Sequence, residues 1–209
     1  MTGVQTCALP IYSVNAIEPE RGHFDFVLEK ARALFEEQGE WPLIRIHPLA
    51  GEEPVHRLEA LGLRGEGETV VKTATLSNIM VPSPYSCIVS DAMTPDWMRV
   101  FGDAHETSAE EREAIARALS RVTVKQGFAV VYDGGQPVAS GRAAVVDGWI
   151  GLFQISTLPA MRRRGFGACL VQSLLNWGHQ AGAHHAYLQV EAKNDTARRL
   201  YRNFGFQEA

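Results

Sequence analysis

The sequence predicts an α/β fold with a mixed, mostly antiparallel sheet flanked by helices. Segments with helical spacing of apolar residues alternate with short β-branched segments along the chain. Two turn dipeptides divide the stretch 128–157 into three hairpin-connected strands, and a helix, a strand and a helix follow it. Apolar residues make up 45% and charged residues 21% of the 209 residues, which is ordinary for a globular protein.

The first part of the chain contains four predicted elements. They are a helix at 24–35, a strand at 41–47, a helix at 54–61 and a strand at 69–76. Residues 1–11 show neither a helical nor a strand period, so we predict a non-native or disordered leader there. The turn-rich segment Pro82-Ser83-Pro84 predicts a linker. The predicted domains are therefore residues 12–81 and 85–209.

The second part contains nine predicted elements. They are strands at 85–89, 128–132, 137–146, 149–157 and 186–190, and helices at 95–101, 108–119, 166–181 and 194–204. A Ser-x-x-Glu capping box at Ser108 and Glu111 opens one helix, and Asn194 or Asp195 is expected to cap the last. Gly182 and Gly205 are expected to end the two final helices.

Charge and composition exclude several classes of protein. The net charge is −4, which disfavours nucleic acid as a partner, but residues 1–84 carry −5 and residues 85–209 carry +1, so an anionic ligand is expected in the second part. Three cysteines without a ligand spacing predict reduced, inert thiols. No run approaches the ~20 apolar residues of a membrane span, and the first residues lack the basic flank of a secretory signal. We therefore expect a soluble, cytoplasmic protein without membrane contact.

The segment Arg162-Arg163-Arg164-Gly165-Phe166-Gly167 lies between a predicted strand and a predicted helix. A helix start offers about four unpaired N–H groups and a positive dipole end, glycines allow close approach, and arginines add charge, so this pattern indicates a phosphate or diphosphate site. An ordinary helix start with a solvated basic run remains an alternative. A P-loop is excluded because Ala168-Cys169 follows Gly167, and a dinucleotide fingerprint is excluded by Leu170.

Two motifs in order give a resemblance to a known family. Arg162-x-x-Gly165-x-Gly167 resembles the acyl-coenzyme A diphosphate signature of the GNAT superfamily of N-acetyltransferases. Downstream, Asn194-x-x-Ala197-x-x-x-Tyr201-x-x-x-Gly205-Phe206 resembles the second motif of that superfamily. The resemblance covers about residues 85–209, and it implies a GNAT-type sheet. Members of the superfamily usually continue into another strand after the turn that corresponds to Gly205-Phe206, so the C-terminal strand is expected to be truncated.

The resemblance also implies an activity and site residues. It implies N-acetyl transfer from acetyl-coenzyme A to a primary amine of a small molecule or peptide, by direct attack in a ternary complex and without a metal. Tyr201 would protonate the departing thiolate, although a half-buried core tyrosine is the alternative. The residues implied in cofactor binding are Ile155, Ser156, Thr157, Arg162, Arg163, Arg164, Gly165, Phe166, Gly167, Ala168 and Asn194.

No residue is assigned as the base that deprotonates the amine. Some family members carry a carboxylate five positions before the motif asparagine, but Gln189 stands there, and Glu191 is the nearest acid. Five further candidates are expected to be surface or cap residues: Asp91, Asp96, Asp103, His105 and Glu106. A metal site at His179, His184 and His185 is disfavoured because no further ligands follow. The missing base favours the alternative function, a non-catalytic acyl-coenzyme A-binding or interaction module.

The first part resembles a degraded copy of the second. An offset of 143 residues superposes Gly62 on Gly205, and it aligns a helix, a strand and a helix of the two parts. In this alignment Leu58 replaces Tyr201, and acidic Glu18 and Glu20 fall at the diphosphate turn. We therefore predict that residues 12–81 form an incomplete, degenerate GNAT-like lobe without a cofactor.

Overall fold

The computed structural model describes residues 13–15, 24–36, 43–46, 52–65, 67–76 and 83–209. The chain divides into two compact units, residues 1–67 and 68–209. The predicted leader, residues 1–11, and the segment carrying Glu18 and Glu20 lie outside the described residues. Between them, the short strand Ser13–Asn15 is described.

The described residues of the first unit form two short strands and two helices. Strands β1 (Ser13–Asn15) and β2 (Leu43–Arg45) pair in parallel, and the helices are α1 (Phe24–Glu36) and α2 (Glu53–Ala60). Helix α2 is joined to α1 by Arg57, which forms an ion pair with Asp25 and lies over the Phe24 ring, 4.8 Å from its centroid. Both helices match the sequence prediction within one or two residues.

The second unit is built on a seven-stranded sheet with four helices. Its strands are β3 (Thr69–Thr75), β4 (Ser86–Ser90), β5 (Lys125–Asp133), β6 (Gln136–Val146), β7 (Trp149–Thr157), β8 (His185–Glu191) and β9 (Gln207–Glu208). Its helices are α3 (Pro95–His105), α4 (Ala109–Ser120), α5 (Phe166–Gln180) and α6 (Asp195–Arg202). The strand order is β4-β5-β6-β7-β8-β3-β9, and only β7 and β8 run parallel. The predicted fold class, a mixed and mostly antiparallel sheet flanked by helices, is confirmed.

Strand β3 lies inside this sheet, although it precedes all its other strands in the chain. It pairs antiparallel with β8 from Thr69↔Glu191 to Thr75↔His185, and β9 pairs with its other edge at Lys72 and Thr73. From the sequence, this strand is predicted to belong to the first domain, because the proline-rich linker follows it. The structure differs on this point: the unit boundary lies before Glu68, because strand pairing is decided by distant partners rather than by the nearest turn.

Helices cover both faces of the sheet. On one face α5 packs closely, since a Cβ atom added to Gly141 would lie 2.7 Å from Ile155 Cδ1 and 3.1 Å from Leu170 Cδ2. Because successive strand residues alternate between faces, Ser156 points to the opposite face, where His105 of α3 contacts it. Buried Trp97 anchors α3 there by donating its indole N–H to the Gly141 carbonyl at 2.8 Å.

No helix in the described ranges is long and apolar enough to cross a membrane.

Candidate functional site

Strands β7 and β8 separate at the centre of the sheet. They pair in parallel from Trp149↔His185 to Leu152↔Leu188. Beyond Leu152, β7 remains paired with β6 up to Thr157, whereas β8 remains paired with β3. A gap therefore opens between the two strands, and its β7 side is the segment Phe153–Thr157 that includes the three predicted cofactor-binding residues Ile155, Ser156 and Thr157.

A β-bulge bends β7 at the start of this gap. The register with β6 shifts between Ser140 and Arg142, and Gln154 adopts a left-handed φ of 55°. Gly141, which the shift leaves without a partner on β7, has its carbonyl hydrogen-bonded by Trp97 instead. Since a bulge leaves an extra residue outside the ladder and bends its strand, it accounts for the separation from β8.

The predicted diphosphate turn follows β7 directly. A 3-10 turn at Pro159–Met161 leads into Arg163 at φ 66° and Gly165 at φ 90°, and α5 begins at Phe166. The first helical hydrogen bonds run from the N–H groups of Ala168 and Cys169 to the Gly165 carbonyl. The N–H groups before them have no place in the helical ladder, so the turn can donate them to an anion.

Two contacts hold this turn in place. The Tyr85 hydroxyl donates to the Arg164 carbonyl at 2.8 Å, and its ring packs on buried Phe166 with centroids 4.4 Å apart. The Arg164 guanidinium forms an ion pair with Asp133 at 2.9 Å. The Arg164 charge is thus neutralised by Asp133, whereas neither Arg162 nor Arg163 forms an ion pair with a described residue.

Helix α6 carries the two other predicted site residues. Asn194 is its N-cap, since its Oδ1 accepts from the Ala197 N–H at 3.0 Å, so this oxygen is already engaged. Tyr201 is only 7% exposed, and its hydroxyl has no hydrogen-bond partner among the described residues. Burial raises the pKa of this phenol, which keeps it protonated at neutral pH. The helix lies against the start of α5, because a Cβ on Gly167 would be 3.5 Å from Leu200.

His105 is the residue that the sequence analysis underestimated. Its Nε2 lies 2.7 Å from the Ser156 hydroxyl, in the diverging segment of β7, and its ring packs on Phe101 with centroids 4.5 Å apart. Burial, aided by the positive charge of Arg162, lowers the pKa of His105 to about 4, so the imidazole is neutral at pH 7. The contact joins α3 to β7, and no local sequence pattern signals it.

Three of the other candidate bases have structural roles. Asp96 accepts a hydrogen bond from Tyr132 at 3.0 Å and pairs with Arg99, and Asp103 forms an ion pair with Arg112 at 3.0 Å. Glu106 is the left-handed C-cap of α3. These three residues therefore hold the fold together, as predicted for surface or cap residues.

Cysteine and histidine side chains form no evident reactive cluster in the part of the chain that the structure describes. No group of three His, Cys, Asp or Glu side chains there could hold a metal ion. Cys87 and Cys169 are unpaired, and burial raises the pKa of the Cys87 thiol to about 11. A thiol with so high a pKa carries little thiolate at neutral pH and is a poor nucleophile.

Comparison with known proteins agrees with this arrangement. A family model described as the C-terminal region of the probable histone acetyltransferase Rv0428c matches residues 25–209. The chain belongs to this family. Its membership of the GNAT superfamily, predicted from the motifs at Arg162 and Asn194, is confirmed. The family model also includes most of the first unit, which the motif resemblance did not cover.

A curated relative and solved structures are also similar to this GNAT chain. It is 29% identical over 110 residues to the uncharacterized N-acetyltransferase YobR of Bacillus subtilis strain 168, covering 53% of this chain and 44% of that relative. The match thus spans less than half the length of the curated relative. A tandem GNAT protein from the clavulanic acid biosynthesis pathway has a TM-score of 0.66 at 16% identity, covering 90% of this chain and 67% of that one.

A second solved structure gives a similar result. The GCN5-related N-acetyltransferase from Sphaerobacter thermophilus has a TM-score of 0.60 at 19% identity, covering 90% of this chain and 66% of that one. Both likenesses concern the fold alone. The degenerate copy in residues 12–81 and the individual site residues stay predictions.

The lowered pKa of His105 makes the stability of this GNAT chain depend on pH. An unfolded histidine binds a proton near pH 6.5 but the folded one only near pH 4, so the free energy of unfolding should fall as the pH drops from 6.5 to about 4. Allowing for the partial exposure of the ring, we expect a loss of about 1–2 kcal/mol. Denaturant unfolding across this range should show a shallower pH slope for His105→Asn than for the unaltered protein, and an equal slope would contradict the prediction.

Proposed function

We propose that this chain is an N-acetyltransferase that transfers an acetyl group from acetyl-coenzyme A to a primary amine, by direct attack within a ternary complex. The observation that carries the proposal is the gap between β7 and β8, which leads directly into the anion-binding turn at the start of α5. A slot lined by strand edges and ending at a positively charged turn suits a long ligand with an amide-rich arm and a diphosphate.

The residues present fit acetyl-coenzyme A. The edge of Ile155–Thr157 that does not pair with β8 offers backbone groups to the pantetheine arm. The turn from Arg162 to Ala168 offers N–H groups to the diphosphate, together with two arginines that form no ion pair with a described residue. Bound there, the cosubstrate supplies an acetyl group activated as a thioester. Asn194 keeps its amide N–H₂ for this ligand, because only its oxygen caps α6.

The chain's own groups can stabilise the reaction in two ways. Backbone N–H groups on the open β7 edge can donate to the acyl oxygen as it gains negative charge. The protonated Tyr201 can donate a proton to the departing sulfur. An ordinary phenol, pKa about 10, is roughly 2 kcal/mol too weak an acid to protonate a thiolate of pKa about 8.5 in a separate step. Burial of Tyr201 widens this gap, so proton transfer must accompany C–S cleavage.

His105 is the described group best placed to accept the proton of the attacking amine. Its neutral imidazole contacts Ser156 on the diverging segment, so it can take the proton directly or through the Ser156 hydroxyl. Because its pKa is lowered to about 4, the imidazole is a weak base, so the proton transfer must accompany attack of the amine on the acyl carbon. His105 would thus act as the base that deprotonates the amine, a role that the Gln189 amide cannot perform. The acceptor itself, a small molecule or a peptide amine, enters on the sheet face that carries α3.

A thiol-release assay with acetyl-coenzyme A and a panel of amine classes tests the proposal. We expect amine-dependent release of coenzyme A that follows saturation in both substrates, with intersecting rather than parallel reciprocal plots. Calorimetric binding of acetyl-coenzyme A without turnover on any amine would instead favour the non-catalytic binding module. Parallel reciprocal plots would contradict direct attack.

A further inference from the structure

A second charged site lies beside the strand gap. The Arg142 guanidinium on β6 donates from Nε to Gln154 Oε1 and from Nη1 to Gln126 Oε1, both at 2.9 Å. Its Cζ lies 4.6 Å from the centroid of the Phe153 ring, which supports it from one side. The side chain is half-buried, and it is fixed by three neighbours from two strands.

The orientation of the Gln126 amide is set by the chain around it. Its Nε2 donates to the carbonyls of Leu119 and Val122, each at 3.3 Å. With both amide hydrogens used in this way, only the oxygen is available to Arg142. The end of α4 therefore holds Gln126 so that it positions the arginine.

The positive charge of Arg142 has no counter-charge in the described residues. Its two side-chain acceptors are neutral amides, and no described carboxylate forms an ion pair with it. Burial lowers the pKa of Arg142 to about 10, and the nearby phenol of Tyr187 has a raised pKa and is neutral. A guanidinium whose side-chain partners are neutral and whose remaining N–H groups are not buried can complete its coordination with an anionic ligand.

The position of Arg142 relates it to the reaction centre. Arg142 pairs with Phe153 across the ladder, and Phe153 and Gln154 are the first residues of the diverging segment. Ser156, the partner of His105, pairs with Ser140, which lies two residues from Arg142 on β6, about 7 Å along the strand. The side chains of Arg142, Phe153 and Ser156 project from the sheet face that carries α3, whereas Gln154 lies at the bulge.

We propose that Arg142 binds a carboxylate of the acceptor, which is therefore a small amino carboxylic acid. The proposal rests on the proposed function and deepens it by naming the substrate class. With Nε and one Nη1 hydrogen engaged, the remaining Nη1 and Nη2 hydrogens can still donate two parallel hydrogen bonds to a carboxylate, which no simple amine can accept. The short separation from Ser156 favours an amine and a carboxylate in one small molecule, with the amine directed to the strand gap.

Paired acceptors test this substrate class by turnover. Glycine, β-alanine and 4-aminobutanoate are each compared with the corresponding carboxamide in the thiol-release assay. For at least one pair we expect the carboxylate to have a kcat/KM ten-fold or more above that of the amide. Arg142→Gln should bring that ratio close to one, mainly through KM, and Arg142→Lys should restore it only in part because lysine lacks the fork. Arg117→Gln, which removes an exposed arginine of α4 paired with Glu113, is the matched control and should keep the ratio.

Nitrogen NMR of the unaltered protein gives a readout that needs neither turnover nor a stable variant. The Nε–H resonance of Arg142 should shift saturably when β-alanine is added but not when its carboxamide is added. A shift without turnover on any acceptor would leave the carboxylate site standing and reject the proposed function. Turnover without a carboxylate preference, or no resonance shift with any of the three amino acids, would overturn the assignment of Arg142 and leave the acetyltransferase proposal intact.

Discussion

Replacing Tyr201 by phenylalanine should lower turnover by about 100-fold to 10,000-fold, the usual range for a lost acid-base group. The ring packing on Phe206 is kept, so the affinity for acetyl-coenzyme A should change little. Since the hydroxyl bonds to no described residue, the melting temperature should also stay close to that of the unaltered protein. Steady-state rates, calorimetric affinity and thermal unfolding on the same samples separate these effects.

Tyr132→Phe provides the matched control for this change. It removes a phenol that donates to Asp96 outside the strand gap, so turnover should remain within about two-fold while some stability is lost, on the order of 1 kcal/mol. An unimpaired Tyr201→Phe enzyme would show that the proton comes from water or another group. Tyr201 would then be a core residue.

A negative charge at Gly167 should weaken acetyl-coenzyme A binding by about 100-fold. A carboxylate some 5 Å from a diphosphate charge costs roughly 3 kcal/mol near a protein surface. The fold should tolerate Gly167→Glu, because an added Cβ makes only ordinary contacts, 3.5 Å to Leu200 and 3.9 Å to Thr157. An acid in the first turn of a helix also favours its dipole. Calorimetric titration is the measurement.

Two further variants at position 167 separate the effect of side-chain size on acetyl-coenzyme A affinity from the effect of charge. Gly167→Ala should bind acetyl-coenzyme A with nearly the native affinity, and Gly167→Gln should show how much affinity is lost to side-chain size alone. Added salt should narrow the difference between the Gln and Glu variants, since it screens exposed charges. Equal affinities for these two variants would place the diphosphate away from this turn. Gly165 is less suited to this experiment, because its φ of 90° makes any side chain strained.

Most of the fold could be predicted because its signals are local. The turn dipeptides at Asp133-Gly134 and Asp147-Gly148 mark the hairpins of β5, β6 and β7, and the capping box at Ser108 marks the start of α4. The turn before α5 was likewise predictable, since its glycines and arginines lie within the six residues 162–167. Each of these features depends on residues that are neighbours in the chain.

The remaining site features depend on contacts between distant segments. The bulge at Gln154 needs the register of β6, and the pairing of His105 with Ser156 needs α3 to lie across β7. Arg142 was not singled out because one arginine in an alternating strand usually points to solvent. Only the folded sheet shows that two neutral amides hold it, with no ion pair to a carboxylate in the described ranges.

The insertion of β3 determines where this protein can be cut. A piece beginning at residue 85, the start suggested by the proline-rich segment, would leave the seven residues of β8 with a bare outer edge and β9 without a neighbour. Such an edge is a template for pairing with other chains, and it is what natural proteins cover to avoid aggregation. The strand at Thr69–Thr75 thus covers the edge of β8, and a fragment that keeps the second unit intact must begin no later than Glu68.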